Sequence, residues 1–502
     1  MLTNPLTAID FYKADHRSQY PLGTTEVYSN FTPRSKHAPK VLAESFDNRV
    51  VFFGLQYFIK QFLQESWQIN FFNKSKADVV AQYKRRMDTS LGKDAVSVEH
   101  IAALHDVGYL PIRIKALPEG ARVPLGVPVL TIVNTQPEFF WLTNYIESVI
   151  SCYLWKPITS ATTAFEFNRL LQAYAEKTGI PVDFVKFQAH DFSLRGMSGI
   201  QDAALSGAGH LTSFFGTDTV PAIDLLEEYY QADADREPVG LSVPATEHSV
   251  MSMGMQENEL QTFERLLTQL YPRGIVSIVS DTWDFWKVVT EYTVALKDAI
   301  LARDGKLVIR PDSGDPVKIV CGDPEAAEGS PQRKGAIECL WDVFGGSVTT
   351  QGFKQLDPHI GLIYGDSITL ERAQNILRGL AHKGFASGNV VFGVGSFTYQ
   401  FVTRDNFGFA MKATSGVVGG ERREIFKSPK TDSGTKKSAR GLLRVERKGN
   451  TYVLFDRQTE EQEAQGELKT VFENGVLCRE HSLAEIRQRV QAEVETLQKL
   501  EC

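Results

Sequence analysis

Residues able to do chemistry recur in this sequence directly after short apolar runs. They are His190-Asp191-Phe192 with Arg195; Gly216-Thr217-Asp218; Thr246-Glu247-His248-Ser249; Ser280-Asp281; Arg310-Pro311-Asp312-Ser313-Gly314; Gly365-Asp366; and Gly393 to Ser396. The arginine of Arg310-Pro311-Asp312 can fork two hydrogen bonds onto a phosphate, and the neighbouring carboxylate can hold Mg²⁺ or a ribose hydroxyl. The plainer alternative is an Arg-Asp ion pair tying two loops. Against it, Asp281, Asp312 and Asp366 follow neighbouring runs and would repel one another unless cations sit among them. A lone histidine is usually structural. His248, however, is flanked by Glu247 and Ser249, with Asp281 after the next run, so a carboxylate can orient it and make it nucleophilic. Gly393-Val394-Gly395-Ser396 offers backbone amides that can cradle a phosphate at a helix start, although a short glycine pair is as often a tight turn. Lys436, Lys437 and Arg440 read as a solvated loop or, alternatively, as a cover over phosphates.

The elements that must position these residues follow from the spacing of the runs. Phe184 to Phe187, Leu211 to Phe215, Leu241 to Val243, Ile275 to Val279, Leu307 to Ile309, Ile360 to Tyr364 and Val390 to Phe392 recur at roughly the 30-residue period of strand-helix units. Nearly continuous apolar strands are buried on both faces, which implies a parallel sheet. Between them, Leu260, Phe263, Leu267 and Leu270, and again Leu370, Ala373, Ile376 and Leu377, fall at helical spacing. About seven such units suit an α/β barrel, with a doubly wound sheet as the alternative, and a barrel would bring all the polar clusters to one rim.

The flanks read differently. Strands are predicted at Ile112 to Ala116 and Val129 to Val133 on one side. On the other, two hairpins are predicted with turns near Lys448-Gly449-Asn450 and Glu473-Asn474-Gly475. A last helix is opened by a Ser482 to Glu485 capping box and turns Ile486, Val490, Val494 and Leu497 inward. The expected organisation is an N-terminal α+β segment over 1–150, an α/β barrel over 151–407, and a segment over 408–502 that packs with the first.

Composition narrows the function classes. With 42% hydrophobic residues over 502 positions the chain can bury sizeable cores, and 54 basic against 61 acidic residues leave a net charge of −7. Such a surface repels nucleic acid and anionic lipid, so an anionic ligand needs a local basic cluster. Cys152, Cys321, Cys339, Cys478 and Cys502 form no metal-like spacing and fit free thiols in a reducing compartment. Met1 to Tyr20 carries Asp10, Lys13, Asp15 and Arg17 where a signal peptide needs an apolar stretch. No run approaches the ~18 apolar residues of a membrane span. A cytoplasmic location is expected.

Nine strings, in order along nearly the whole chain, resemble the nicotinamide phosphoribosyltransferase family. They are Asp10-Phe11-Tyr12-Lys13, Phe53-Gly54-Leu55-Gln56-Tyr57, Trp141-Leu142-Thr143-Asn144, His190-Asp191-Phe192, Gly216-Thr217-Asp218-Thr219, Glu247-His248-Ser249, Val279-Ser280-Asp281, Ile309 to Gly314, and Thr403-Arg404-Asp405. The resemblance implies an irregular α/β barrel of the type II phosphoribosyltransferases, a homodimer with shared active sites, and Mg²⁺ held mainly through substrate pyrophosphate. It also implies transfer of phosphoribose from phosphoribosyl pyrophosphate to nicotinamide, stimulated by ATP through a phosphorylated histidine that corresponds to His248. On the same basis Phe192 and a Tyr12 from the other subunit would sandwich the pyridine. Asp218 would read the carboxamide nitrogen, Arg310 the amide oxygen, and Ser277 would line the same cleft. Asp312 would stand near the ribose hydroxyls and Asp366 among the substrate-binding residues; Asp281 and Glu247 are expected beside His248 from their places in the sequence. Gly365, Gly395 and Ser396 would cradle the 5′-phosphate, and Arg34, Arg195, Arg404, Lys412 and Lys427 would contact pyrophosphate. Nicotinate is the rival substrate, against which a fixed Asp218 carboxylate would act by like-charge repulsion. Where the family usually has a run of glycines, this chain has Gly395-Ser396-Phe397-Thr398.

Overall fold

A computed structural model of the chain describes residues 4–34, 42, 46–426 and 439–501. Lys427, Lys436, Lys437 and Cys502, all named in the sequence reading, lie outside the described residues.

Six parallel strands form one sheet: β1 (Ala189–Asp191), β2 (Gly216–Thr217), β3 (Arg273–Val279), β4 (Asp304–Arg310), β5 (Ile360–Tyr364) and β6 (Val390–Val394), in the spatial order β2-β1-β6-β5-β4-β3. The two edges meet through an irregular segment. Leu241 makes a single parallel bridge to Gly216 of β2, and Ala245 makes one to Ser277 of β3. Their hydrogen bonds run from Thr217 N–H to the Leu241 carbonyl (2.9 Å) and from Ser277 N–H to the Pro244 carbonyl (2.9 Å). The sheet is thus curled into the expected irregular α/β barrel.

Three of the seven predicted strands are displaced. The run Phe184 to Phe187 begins in a helical turn, Val182–Val185, that follows Pro181, and the strand starts only at Ala189. The run Leu211 to Phe215 is the exit of the helix Ile200–His210, and the strand starts at Gly216. Leu241 to Val243 makes one bridge, at Leu241, but no ladder, and Pro244 lacks the N–H that would continue one. Short apolar runs do not separate strand from buried helix end by periodicity alone. The predicted helices are present as Glu259–Arg265 with its continuation Leu266–Leu270, and as Leu370–His382.

A second, antiparallel sheet joins strands from both ends of the chain in the order Glu421–Glu424, Ala410–Val418, Thr24–Thr32, Leu130–Asn134, Ile112–Ala116, Lys469–Glu473 and Val476–Leu477. Asn474 and Gly475 both have positive φ, 51° and 85°, as the two-residue hairpin turn requires. Ser482 and Glu485 exchange hydrogen bonds at 3.2 and 3.0 Å, which completes the capping box of the last helix. The 32-residue helix Glu147–Thr178 runs between the two halves: Ile150, Leu154 and Phe165 belong to the apolar core under the antiparallel sheet, and Phe167 and Leu171 to that of the barrel.

Candidate active site

The loops after the barrel strands enclose a cavity of about 480 Å³ whose lining includes Phe192, Arg195, Asp218, Glu247, Arg310, Asp312, Gly365, Asp366, Gly395 and Ser396. A second cavity of about 490 Å³ extends into the barrel interior. It shares Phe192, Asp218, Ala245 and Arg310 with the first and is walled mainly by apolar side chains, with Ser277 among its polar ones. Clusters spread from Phe192 to Ser396 therefore meet around one space.

One end of this space suits a flat ring bearing an amide. Phe192 follows β1, and its backbone N–H donates to the Val394 carbonyl at 3.0 Å. Its ring lies on two glycines: a methyl group on Gly365 would stand 2.9 Å from Phe192 Cε2, and one on Gly393 would overlap the ring. Asp218 Oδ1 is 2.9 Å from His190 Nε2 and accepts from the Ser242 hydroxyl at 2.7 Å. Burial pushes the Asp218 carboxyl up, but the hydrogen bond and charge attraction of His190, then Ser242 and Arg310, outweigh it and hold the group below the ordinary carboxylate value. Asp218 is therefore ionised at neutral pH and fixed in orientation. Ser242 was invisible in the sequence because it sits inside an apolar run. The Ser277 hydroxyl is buried with no hydrogen-bond partner among the described residues.

Arg310 stands between this end and the other, which suits phosphates and sugar hydroxyls. Arg310 donates through Nη2 to the Thr246 carbonyl, while its Nε is buried with no partner among the described residues. The loop that follows is pinned: Asp281 Oδ2 accepts from the Asp312 N–H (2.9 Å) and the Ser313 hydroxyl (2.5 Å), and the Tyr364 hydroxyl donates to the Gly314 carbonyl (2.8 Å). Burial, partly offset by Arg310 and reinforced by Asp281 and Asp366, raises the Asp312 carboxyl above its usual value. Gly395 precedes the four-residue helix Ser396–Tyr399, and Gly196 lets the Ser396 side chain approach, since a methyl group there would overlap it.

His248 opens the short helix His248–Met253 and stands at the edge of the cavity with its side chain 50% exposed. Its Nδ1 is 3.2 Å from Thr282 Oγ1, and its Nε2 is 3.8 Å from Asp281 Oδ1 and 4.0 Å from Asp312 Oδ2. Asp281 thus stands near His248 without a direct hydrogen bond. Glu247, expected to flank and support His248, instead accepts the hydroxyl of Ser249. Asp281 is turned mainly to the Asp312 backbone N–H and the Ser313 hydroxyl and acts on the site through them.

Several expected residues do not line the cavity within one chain. Tyr12 is 60% exposed in the turn Phe11–Lys13, with its ring 5.2 Å from that of His16. Arg34 donates from Nε to the Gly408 carbonyl at 3.3 Å, and burial together with the nearby Arg404 lowers its proton affinity, so these two cations are neighbours. Arg404 also pairs with Asp405 at 3.0 Å. Lys412 stands opposite Asn30 in the antiparallel sheet.

Residues 187–476 match the nicotinate phosphoribosyltransferase (NAPRTase) family, and residues 4–114 match the nicotinamide phosphoribosyltransferase N-terminal domain. The chain is 64% identical over 499 residues to a nicotinamide phosphoribosyltransferase of Acinetobacter baylyi, covering 98% of both. It is 32% identical to one from Xanthomonas campestris, covering 98% of this chain and 99% of that one. Among solved structures, nicotinate-nucleotide pyrophosphorylase from Pyrococcus furiosus superposes with a TM-score of 0.58 at 13% identity, over 99% of this chain and 97% of that one. Human nicotinic acid phosphoribosyltransferase superposes with a TM-score of 0.51 at 17% identity, over 98% and 93%. These structures share the fold, and the sequence matches carry the family. The chain belongs to the nicotinamide phosphoribosyltransferase family, type II phosphoribosyltransferases of the glycosyltransferase class.

Proposed function

We propose that this enzyme transfers the phosphoribosyl group of phosphoribosyl pyrophosphate to nicotinamide, giving nicotinamide mononucleotide and pyrophosphate for NAD salvage. The observation that carries the reading is the ionised Asp218, fixed by His190 and Ser242 beside Phe192 and Arg310. A carboxylate accepts from a carboxamide N–H₂ and repels a carboxylate in the same place, which favours nicotinamide over nicotinate. Arg310, which lines both cavities, suits the amide oxygen. Phe192 offers one aromatic face to a ring that gains positive charge as its nitrogen attacks the sugar.

The reaction breaks the bond between the anomeric carbon and pyrophosphate, so positive charge grows on the ribose and negative charge on the leaving group. Asp312 and Asp366 border the place where the ribose would lie, and Gly395 and Ser396 present a helix start to the 5′-phosphate. No general base is needed, because the pyridine nitrogen carries no proton at pH 7. Among the described residues no three His, Cys, Asp or Glu side chains group into a metal site. Mg²⁺ would be held mainly through pyrophosphate oxygens, with Asp312 and Asp366 among the carboxylates that line the cavity. Bound so, it would neutralise charge on the leaving group.

His248 is the proposed acceptor of the ATP γ-phosphoryl group. Its half-exposed imidazole at the edge of the cavity supports this, and ADP would be the leaving group. A cytoplasmic homodimer completes the reading: Tyr12, Arg34 and Arg404 stand away from their own chain's cavity and would serve the partner's, with Arg195 meeting pyrophosphate from within. Incubation with phosphoribosyl pyrophosphate and Mg²⁺, plus nicotinamide or nicotinate, with and without ATP, tests the proposal by formation of the mononucleotide. Equal turnover of the two pyridines would refute the substrate assignment.

A further inference from the structure

Behind the cavity lies a polar cluster whose members line neither cavity. His210 ends the helix Ile200–His210 and is fully buried. Its Nε2 is 3.0 Å from the Gly216 carbonyl and its Nδ1 is 2.7 Å from the Tyr399 hydroxyl. A carbonyl can only accept, so Nε2 carries the proton and the Tyr399 hydroxyl donates to Nδ1. Burial pushes the imidazole down to about 4, against the opposing pull of Asp191, so the ring is neutral and this pattern is the one it keeps. Asp191 is also fully buried. One oxygen accepts from the Ser193 N–H at 2.9 Å, and the other has no hydrogen-bond partner among the described residues. Its charge acts on both His210 and Tyr399.

These contacts reach both ends of the site. Gly216 heads the strand that delivers Asp218, whose backbone N–H donates to the Asp191 carbonyl at 2.9 Å, and Asp191 directly precedes Phe192. Tyr399 closes the helix that Ser396 opens, and its backbone N–H reaches the Gly395 carbonyl at 3.1 Å. One imidazole therefore bolts the phosphate cradle to the strand that carries the amide reader.

We propose that Asp191, His210 and Tyr399 are positioning residues that hold the pyridine end and the phosphate end in a single register, so that a bound phosphoribosyl group tightens the binding of nicotinamide. This rests on the function proposed above. Packing alone predicts a loss of thermal stability shared by every ligand, whereas the register role predicts a loss of cooperation between two ligands.

The test uses the full-length enzyme and measures nicotinamide affinity by calorimetry with and without saturating ribose 5-phosphate. In the parent, ribose 5-phosphate lowers the nicotinamide Kd. In Tyr399→Phe, which keeps the ring and removes one hydrogen bond, the enhancement falls by about three- to tenfold while the Kd for nicotinamide alone stays unchanged. His210→Gln, whose amide also presents one donor and one acceptor, restores part of the enhancement that His210→Leu abolishes. Should Tyr399→Phe fail to fold, Asp191→Asn carries the same comparison. An unchanged enhancement in a folded Tyr399→Phe enzyme, or none in the parent, overturns the proposal. Failure of the functional reading shows separately, as a parent enzyme that makes no mononucleotide from phosphoribosyl pyrophosphate and nicotinamide.

Discussion

His190 Nε2 lies 2.9 Å from Asp218 Oδ1, on the same oxygen that accepts the Ser242 hydroxyl. Both bonds fall on one side of the carboxylate and none is made by Oδ2 among the described residues, so Oδ2 is the oxygen left for a ligand. Substrate choice should then depend on this charge. Asp218→Asn is expected to raise nicotinate use relative to nicotinamide at least about tenfold, because a like-charge contact costs several kcal/mol and about 1.4 kcal/mol is a factor of ten. Competition between the two pyridines at matched concentrations checks this, and a variant that still excludes nicotinate as fully as the parent refutes it.

His248→Ala should separate ATP stimulation from basal transfer. The imidazole is at the edge of the cavity and 4.0 Å from Asp312 Oδ2, placed to act on the site rather than on the reacting carbon. Basal kcat is expected to stay within about threefold of the parent, while the ATP-dependent improvement in substrate KM disappears. Complete loss of basal turnover in a folded variant contradicts this division of roles.

Gly393→Ala adds a methyl group that would overlap the Phe192 ring. The ring must lift into the cavity, so the KM for nicotinamide should rise about tenfold or more, with a smaller change for phosphoribosyl pyrophosphate. Steady-state kinetics with each substrate varied in turn reads the difference; equal changes for both would mean the floor under Phe192 does not set the pyridine cleft.

Acid should destabilise the fold through His100, which is buried with its ring centroid 4.7 Å from that of Trp141. Burial, then Arg17, pushes its pKa down to about 4, with Asp15 opposing. The folded state therefore binds fewer protons than the unfolded chain between about pH 6.5 and 4, so this stability is present above 6.5 and is lost as pH falls towards 4. His100→Leu should lose on the order of 3 kcal/mol less than the parent across that window. Denaturant melts at pH 7.5 and 4 decide it; identical losses would place the acid sensitivity elsewhere.

The barrel and most of its rim were legible because a buried parallel strand must be almost wholly apolar and the polar residue after it must emerge at the same end. Arg310, Asp312, Gly365 and Gly395 follow that rule and share one cavity with Phe192 and Asp218, which come instead after the short strands Ala189–Asp191 and Gly216–Thr217. The rule fails where an apolar run serves another purpose. Leu211 to Phe215 ends a helix, and Leu241 to Val243 is a closing segment in which Ser242 faces inward to Asp218. Adjacency in sequence also misled: Glu247 neighbours His248 yet bonds Ser249, because on a helix start successive side chains point in different directions. The separation of Tyr12, Arg34 and Arg404 from the cavity could not be read from spacing, since it depends on how the antiparallel sheet is set against the barrel.

The stave that shuts the barrel has a consequence of its own. Within eight residues, 241–248, lie the two single bridges, the hydroxyl that orients Asp218, the carbonyl that anchors Arg310, and His248. The support of the proposed amide reader and the proposed phosphoryl acceptor are mounted on the same short piece of chain, whose length is fixed by the gap it spans. Inserting one residue there would leave the six-stranded ladder whole and throw both duties out of alignment at once, so neither can be redesigned by changing loop length without disturbing the other.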